Sequence, residues 1–359
     1  MSAFHQIIVG AGPGDAITQM ALEIRTQLRE LGESEIFARF IDPAMVDRVR
    51  PLSDLPSGRP RDVVVYHASY GDPEVTRALL RRPERLVLVY HNVTPSEHFI
   101  AHDPAFAAGL EWGRHELSML RDRVVLATAD SRFNADELTD LGFDDVHVIA
   151  AGLHPRRLAA VTPSVNTVAT LRKEVDVPFV LNVSQLLPHK CQHVLIQALH
   201  VVQTVHGVEL GLVLVGPPRS TSYGRGLVEL ARRLRVRHLW FAHRQSDAAL
   251  ATIYRSARLF ASASVHEGLG IPPLEAMSFG VPTIVRDAGA TAETVAGGSL
   301  VLPNDAGPLM FAEAIMAAHE DEALRSSLIC SGLERVAALS DTDGDDGFVG
   351  VLESAGLVS

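Results

Sequence analysis

Short runs of β-branched and apolar residues alternate with longer segments of helical periodicity along the whole chain. This alternation predicts parallel sheets whose strands are joined by crossover helices, the α/β class. In the first half the runs are QIIVG (from Gln6), EIFARF (Glu35), DVVVYHAS (Asp62), RLVLVYHN (Arg85), RVVLATAD (Arg123) and DVHVIA (Asp145). In the second half they are FVLNVS (Phe179), GLVLVG (Gly211), LWFAH (Leu239), LFASAS (Leu259), PTIVRD (Pro282) and SLVLP (Ser299).

The runs form two sets, which predicts two doubly wound domains. A single sheet is disfavoured because open sheets beyond about ten strands are uncommon. The length of 359 residues also suits two domains of about 100–200 residues each. Weak periodicity and three prolines indicate a linker around residues 152–178. We therefore place the domains at residues 1–165 and 166–340, with a tail at 341–359.

Composition excludes several classes of protein. The net charge of −11 argues against a nucleic-acid groove. Cys191 and Cys330 are far apart and form no CxxC pair, which favours a reducing compartment without disulfides or structural zinc. The N-terminal stretch has neither a charged region nor a long apolar run, so we expect no signal peptide, no spanning helix and a cytoplasmic location.

The segment HEGLGIPPLEAMSFGVPTIV, from His266 to Val285, places Glu267 and Glu275 eight positions apart around a turn rich in glycine and proline. An apolar run precedes it, and Pro272 and Pro273 suit the first turn of a helix. Glu267 therefore falls on a strand-to-helix loop, and Glu275 falls early in the helix.

The backbone amides between these two carboxylates belong to Gly268, Leu269 and Gly270. Amides beside a helix N-terminus favour an anion such as phosphate. Carboxylates there would repel phosphate unless they bind something else, and sugar hydroxyls are good donors to them. The alternative is an ordinary crossover in which Glu267 caps the helix and Glu275 is solvated.

Ligands of doubly wound sheets bind outside the carboxyl ends of the strands, so the residues that follow other strands are candidates too. The turn VGAGPGDA lacks the dinucleotide pattern GxGxxG because Asp15 takes the third glycine position. Gly12 and Gly14 could still let the backbone approach a phosphate or an acceptor. The alternative is a purely structural turn.

A second strand end is VYHNVTPSEHF, from Val89 to Phe99. Thr94 as N-cap and Pro95 as the first helical residue predict a helix that begins here. His91 would then lie on a short loop that faces the ligand crevice, although a lone histidine is often only a satisfied surface or core residue. DSRFNADEL follows the next strand, and Ser131 is a candidate helix cap there.

A third strand end is NVSQLLPHKCQHVLIQAL, from Asn182 to Leu199. Lys190 falls at a predicted helix start, where the helix dipole disfavours a cation. A lysine in that place favours an anionic ligand, whereas the alternative is a solvated side chain.

The His266–Val285 segment, with GVPTIVRDAGATAETV at its second half, resembles the two-glutamate signature of retaining GT-B-fold glycosyltransferases of family four. This resemblance implies two Rossmann-like domains that face a cleft, an acceptor-side N-terminal one and a C-terminal one that binds a nucleotide sugar. It implies that Glu267 contacts the transferred sugar and Glu275 the ribose. It also implies that the last helix, within GFVGVLESAG (Gly347 to Gly356), returns to the N-terminal domain.

The same resemblance extends to two of the other strand ends. The tyrosine-histidine-asparagine segment is similar to one in a bacterial branch of the family, which implies that His91 contacts the donor sugar. Lys190 matches a lysine that binds the donor diphosphate, while Gln185 stands where the family has an arginine. His189, Arg132 or Arg219 could supply the missing charge.

The sequence therefore predicts metal-independent, retaining transfer of a sugar from a nucleotide diphosphate to a hydroxyl acceptor, with no cofactor and no nucleic-acid partner. The alternatives are a GT-B-fold sugar-nucleotide epimerase, a sugar phosphorylase or a non-catalytic nucleotide-sugar-binding module.

Two charged clusters were also considered. An acidic one, formed by Asp341, Asp343 and Asp345, resembles the metal motif of the GT-A class but follows a helical stretch, so we predict no metal there. The cluster Arg77, Arg81, Arg82 and Arg85 gives either a weak peripheral membrane contact or a solvated helix surface.

Overall fold

The computed structural model describes residues 2–149, 156–218, 221–340 and 347–358. The chain divides into two compact units, one formed by Met1–Leu153 with Thr342–Ser359 and the other by His154–Asp341. Each unit contains a parallel sheet with its crossover helices, so the predicted fold class is confirmed. Within the described ranges, no helix combines the length and apolar character that a bilayer crossing needs.

The strands of the first unit are β1 (Phe4–Ala11), β2 (Ile36–Ile41), β3 (Arg50–Pro51), β4 (Val63–Ala68), β5 (Arg85–Tyr90), β6 (Val124–Ala129) and β7 (His147–Val148). The α-helices between them are α1 (Ala16–Leu31), α2 (Pro73–Arg81), α3 (Pro104–Leu120) and α4 (Arg132–Asp140). In the described residues these strands form one sheet in the order β3-β2-β1-β4-β5-β6-β7. The order reverses at β1 and β4, which is where a crevice opens in such sheets.

The helices of the second unit are α5 (Val165–Glu174), α6 (Gln192–Val201), α7 (Thr221–Leu234), α8 (Asp247–Ser256), α9 (Ile271–Ser278), α10 (Thr291–Val295), α11 (Pro308–Glu320) and α12 (Glu322–Ser340). Its strands are β8 (Phe179–Val183), β9 (Gly211–Val215), β10 (Leu239–His243), β11 (Leu259–Ser262), β12 (Thr283–Arg286) and β13 (Leu300–Leu302). The sheet order is β10-β9-β8-β11-β12-β13, so the switch lies between β8 and β11.

Both faces of the second sheet are covered by apolar cores. Val180 and Leu181 are neighbours on β8, yet they pack into two different clusters of buried residues. Successive side chains of a strand point to opposite faces, so one core lies on each side of the sheet. This double burial explains why the strands appear in the sequence as nearly continuous apolar runs.

Part of the segment assigned to a linker is structured. In residues 156–178, α5 and a short 3₁₀ turn at Leu158–Ala160 pack on the second sheet. Their contact is made by Leu158, Leu171 and Val175, which are all buried. These apolar residues are few and unevenly spaced, so the sequence pattern does not show a helical face.

The end of the chain packs on the first unit. Phe348 and Leu352 of α13 (Phe348–Ser354) are buried in a cluster that also contains Phe4 of β1. Arg85, at the start of β5, donates hydrogen bonds to the carbonyls of Gly356 and Leu357 at 3.2 and 3.1 Å. The described tail is thus integral to the core of this unit.

The helix predicted to begin at Thr94 is absent, and that prediction is wrong. The chain makes only a 3₁₀ turn at Ser96–His98, and α3 begins at Pro104 with Asp103 as its N-cap. The Asp103 carboxylate accepts from the N–H of Phe106 at 3.0 Å, so a better capping pair lies downstream. By contrast, Ser131 caps α4 as predicted, accepting from the N–H of Asn134 at 3.2 Å.

Glu116 on α3 is a buried carboxyl whose hydrogen-bond network needs an additional proton. Its oxygens face the hydroxyls of Tyr66 and Thr76, and the Thr76 hydroxyl also faces the carbonyl of Asp72. These three contacts need three protons, and the two hydroxyls supply two. A proton on Glu116 completes the set, and burial raises the pKa of this carboxyl to about 7.

This proton makes the stability of the first unit depend on pH. Because the folded-state pKa of Glu116 is raised, its contribution is complete below the unfolded pKa and is lost as pH rises through about 7. We expect the free energy of unfolding to fall by on the order of 3 kcal/mol between about pH 5 and about pH 8. The Glu116→Gln variant should remove this slope, as measured by urea unfolding at several pH values.

The matched control is Glu111→Gln, which changes an exposed carboxylate on the same helix. It should keep the slope of the unmodified protein. A slope that persists in Glu116→Gln would show that Glu116 does not hold the proton.

Candidate functional site

Two residues singled out in the sequence, Lys190 and Glu267, form an ion pair beside the carboxyl ends of β8 and β11. The Nζ atom of Lys190 lies 2.7 Å from Oε2 of Glu267. Lys190 ends a 3₁₀ turn that follows β8, and Glu267 lies on the loop between β11 and α9. The side chains are 19% and 16% exposed, so they are shielded from bulk water but remain accessible to a ligand.

The two loops that carry this pair are tied to each other. The N–H of Val265 donates to the carbonyl of His189 at 2.9 Å. Cys191, which follows Lys190, is in the left-handed region at φ 49° and turns the chain into α6. Because β8 and β11 are hydrogen-bonded neighbours, the sheet itself holds these loops side by side.

A third loop, which follows β12, holds the backbone of Glu267 by a hydrogen bond. The N–H of Ala290 donates to the carbonyl of Glu267 at 2.9 Å. Gly289 has a φ of +57°, and a Cβ atom on it would lie 2.2 Å from that same carbonyl oxygen. Only glycine fits such a close approach with this backbone conformation.

Glu275 lies on α9, as predicted, and has a partner that sequence reasoning missed. One of its oxygens accepts from the hydroxyl of Tyr254 at 2.8 Å. Burial raises the pKa of Glu275 to about 6, and the Tyr254 hydrogen bond opposes that shift. In the described part of the chain no group donates to its other oxygen, so an ionised acceptor is available near neutral pH. Nothing in the sequence around Tyr254 signals this contact.

Two of the three backbone amides that the sequence indicated, those of Leu269 and Gly270, are available near the start of α9. Gly270 is the N-cap residue at φ 89°, and the helix begins at Ile271. Pro272 and Pro273 have no N–H, so they remove two donors from the first turn. Within the described residues, the N–H groups of Leu269 and Gly270 donate to no protein acceptor. They are the amides that an anion would find here.

Gln185 brings no positive charge to this edge of the sheet. Its carbonyl accepts from the side-chain amide of Gln192 at 2.9 Å, which ties the strand end to α6. Of the cations considered as replacements, Arg219 lies outside the described residues and Arg132 belongs to the first unit.

A further cation that sequence reasoning missed is Arg286, the last residue of β12. Its guanidinium donates to the carbonyl of Ala306 and lies 5.6 Å from the ring centre of Phe311. Burial raises the pKa of the Cys191 thiol, and the positive charge of Arg286 opposes that rise. The residue is 5% exposed, and within the described residues no carboxylate pairs with it. An unpaired buried charge is costly. An arginine directly after an apolar strand run is the signal that could have found it.

In the first unit, His91 lies after β5 as predicted, and its side chain is only 3% exposed. Its Nδ1 atom lies 2.7 Å from Oδ2 of Asp130, and its Nε2 atom lies 2.9 Å from Nδ1 of His67. Both ring nitrogens are therefore engaged by protein groups. His67 was missed, although its place at the end of β4 is the same signal that selected His91.

The loop that carries His91 is held by side chains from two helices. Asn92 is in the left-handed region at φ 73°, and its amide donates to Asn134 and Glu137, both at 2.9 Å. Arg114 of α3 donates to Glu137 and to the carbonyl of Val93, both at 2.7 Å. This loop is thus rigid, and its strained residue is compensated by buried hydrogen bonds.

The glycine-rich turn after β1 is closed by its own hydrogen bonds. The N–H of Gly12 donates to the hydroxyl of Thr18 at 3.1 Å, and Asp15 caps α1. Gly14 adopts a φ of +68° within the turn. The amide of Gly12 therefore already has a partner.

Of the four clustered arginines, two have structural partners. Arg82 pairs with Glu84, and Arg85 binds the C-terminal carbonyls described above. Arg77 and Arg81 are exposed.

Among the described residues, no group of three or more His, Cys, Asp or Glu side chains is placed to hold a metal ion. The acidic motif of Asp341, Asp343 and Asp345 lies outside the described residues.

Residues 167–335, which hold Lys190, Glu267 and Glu275, match the family model of the glycosyl transferases group 1. This part of the chain is therefore similar to the group 1 glycosyl transferases. The matched region ends within α12, so it spans most of the second unit.

Several curated relatives are glycosyltransferases by name, and solved structures share the fold of this chain. The serotype-specific mannosyltransferase WbdA of Escherichia coli is 26% identical over 56% of this chain, but the match spans only 25% of its own length. The D-inositol 3-phosphate glycosyltransferase of Frankia alni is 24% identical over 91% of both chains. The structure of HepE from Anabaena, solved with UDP-glucose, is similar at a TM-score of 0.73 with 19% identity, covering 99% of this chain and 98% of that one. The chain has the GT-B fold.

Because the backbone at Gly289 approaches Glu267 so closely, we expect the stability of the second unit to be sensitive to a side chain at position 289. Gly289→Ala adds a Cβ atom where 2.2 Å is available and imposes a side chain at φ +57°. We expect a loss of about 1–3 kcal/mol in the free energy of unfolding of the second unit, measured by urea titration. The control is Gly307→Ala, because Gly307 has a φ of −95° and nothing within 4 Å of its added Cβ. Equal effects of the two substitutions would contradict the close-approach argument.

Proposed function

We propose that this protein is a retaining, metal-independent glycosyltransferase that moves a sugar from a nucleotide diphosphate donor to a hydroxyl acceptor. The observation that carries the proposal is the 2.7 Å pair of Lys190 and Glu267 beside two unengaged amides in a group 1 glycosyl transferase domain. One edge of the sheet thus offers a cation and N–H groups for a phosphate, together with a carboxylate for hydroxyls.

Each polar group has a role that its chemistry suits. Lys190 and the amides of Leu269 and Gly270 would bind the diphosphate and stabilise the charge that develops on the leaving phosphate. Glu267 would accept from hydroxyls of the transferred sugar. The unpartnered oxygen of Glu275 would accept from a ribose hydroxyl, while Tyr254 holds the other oxygen.

Because Lys190 and Glu267 are paired, each can exchange its partner for a group of the donor without becoming an uncompensated charge. When a donor binds, its diphosphate takes Lys190 and its sugar hydroxyls take Glu267, so each group replaces one polar partner with another. Removing one member of a buried pair is costly because the other stays uncompensated. Lys190 and Glu267 therefore stabilise each other until the donor separates them.

The buried guanidinium of Arg286 is a candidate for the charge that Gln185 lacks. Its charge acts on Cys191, the residue next to Lys190, and no carboxylate pairs with it among the described residues. A positive charge in a poorly solvated place acts over a longer distance than one in water. It would favour an anion near the Lys190 turn without touching it.

The proposal is tested by a screen of nucleotide sugars in thermal unfolding, followed by turnover with simple hydroxyl acceptors. The names of the relatives suggest UDP-glucose and nucleotide-activated mannose as the first donors. A ligand at about one hundred times its Kd should add about 2.7 kcal/mol of stability. We expect turnover that needs an acceptor, that keeps the anomeric configuration in NMR spectra of the product, and that survives a chelator.

Other outcomes of this screen select other functions. Interconversion of the donor without an acceptor would indicate an epimerase, and a requirement for free phosphate would indicate a phosphorylase. Binding without turnover or slow donor hydrolysis would indicate a non-catalytic module. Activity lost with chelator and restored by manganese or magnesium would refute the metal-independent mechanism.

The ion pair predicts opposite effects for its two members on binding of the nucleoside diphosphate. Lys190→Ala removes a charged hydrogen bond and should weaken binding by roughly 10- to 150-fold. Glu267→Gln frees Lys190 from its anionic partner, so binding should be unchanged or tighter while turnover falls. Isothermal titration gives the affinities, and a steady-state assay gives the rates.

The monophosphate serves as the matched comparison in these titrations. Lys190→Ala should narrow the preference for diphosphate over monophosphate, and Gln185→Arg should widen it. If Lys190→Ala leaves that preference unchanged, Lys190 does not contact the β-phosphate and the assignment fails.

A further inference from the structure

His91 belongs to a buried hydrogen-bond chain that crosses four neighbouring elements of the first unit. The chain runs from Asp130 to His91 at 2.7 Å, from His91 to His67 at 2.9 Å, and from His67 to Gln6 at 2.9 Å. Gln6 then donates to the carbonyl of Ala21 on α1 at 2.9 Å. Gln6, His67 and Asp130 are 0%, 0% and 6% exposed.

The end of the chain fixes the direction of its hydrogen bonds. The carbonyl of Ala21 can only accept, so the NH₂ group of Gln6 faces it. The oxygen of Gln6 therefore faces His67 and also can only accept. It follows that Nε2 of His67 carries a proton.

The contacts of this chain need one proton more than its neutral groups supply. Three contacts link Asp130, His91, His67 and Gln6, and both end groups are acceptors when Asp130 is ionised. Three contacts need three protons, whereas two neutral imidazoles supply two. The third proton makes one ring an imidazolium or resides on Asp130.

The surroundings decide which group holds the third proton. His67 is wholly enclosed, and burial, followed by the neighbouring His91, holds its pKa well below the usual range. The remaining choice is between His91 and Asp130, and an imidazole is ordinarily a stronger base than a carboxylate. The other oxygen of Asp130 is buried and has no partner among the described residues, so His91 is the group that compensates this carboxylate there.

We propose that Asp130, His67 and Gln6 are positioning residues that hold His91 as an imidazolium with both ring nitrogens engaged. His91 then supplies a fixed positive charge after β5 and does not exchange a proton or offer a ring nitrogen to a sugar. The charge state follows from the hydrogen-bond geometry and the burial of His67, whereas its use in turnover rests on the proposed function. The groups that face the two rings are Gln6 from β1, the loop of His91 itself and Asp130 after β6.

The test is nitrogen-15 NMR of the imidazole rings in the full-length protein at about pH 7.5. We expect His91 to show two protonated nitrogens and His67 to show one. His5, a buried histidine on β1 whose Nδ1 accepts from the N–H of Glu35 at 3.3 Å, is the internal control for a neutral ring. A singly protonated His91 in the unmodified protein would overturn the proposal.

Gln6→Met provides the second arm, because Gln6 touches His67 but not His91. Without the Gln6 acceptor, His67 can turn its proton toward His91, and His91 should become neutral at the same pH. Asp130→Asn should neutralise His91 as well. If Gln6→Met leaves the His91 signals unchanged, the chain does not set the charge.

Kinetics separate this inference from the proposed function. Where a donor and acceptor have been found, Gln6→Met should lower kcat by roughly tenfold with little change in the KM for donor. A general loss of packing would instead lower stability without altering the protonation of His91. If kcat stays unchanged while His91 loses its proton, the charge exists but has no role in turnover.

Discussion

Parallel pairing of strands that are distant in the sequence is the constraint on which both candidate sites depend. In the second unit, β8 pairs with β11, so the turn of Lys190 meets the loop of Glu267 although the two residues are 77 positions apart. In the first unit, β1, β4, β5 and β6 are successive neighbours, so Gln6 within β1, His67 near the end of β4, His91 after β5 and Asp130 after β6 form one hydrogen-bond chain. All loops after parallel strands emerge at one edge, so polar residues placed there lie close to one another and to any ligand that binds at that edge.

The buried polar groups of the first unit illustrate a second constraint, the supply of protons. Around Glu116 and around His91, contacts between oxygen and nitrogen atoms outnumber the protons that neutral neighbours bring. In a poorly solvated interior each such contact must still be satisfied, because an unpaired polar group is expensive. An extra bound proton satisfies these contacts at the lowest free-energy cost. Glu116 and His91 therefore depart from the charge states that a carboxyl and an imidazole ordinarily have.

The second unit resolves its charges differently. Lys190 and Glu267 neutralise each other at the edge of the sheet. Arg286 is instead buried, with a hydrogen bond to a carbonyl and a contact with an aromatic ring. Glu275 shares one oxygen with Tyr254 and keeps the other unpartnered. The edge therefore combines a satisfied pair with groups that still have capacity for a ligand, as a binding site for a polar, anionic molecule requires.

The sequence by itself determined the fold class, because apolar runs buried on both faces of a parallel sheet leave a pattern that is local and periodic. It also located His91, Lys190, Glu267 and Glu275 after strands or early in a helix, since strand ends can be read from the same runs. It misplaced the helix start at Thr94, where a capping signal was overridden by a better pair at Asp103, and it missed the packing of α5.

Only the tertiary structure decided which of these residues meet. The partners Tyr254, Arg286 and His67 come from elements far away in the chain, and no local pattern encodes such a distance. Sequence thus determined what each element offers, whereas the pairing order of the strands determined which charges compensate each other and which remain for a ligand, because electrostatic and hydrogen-bond energies depend on separation in space.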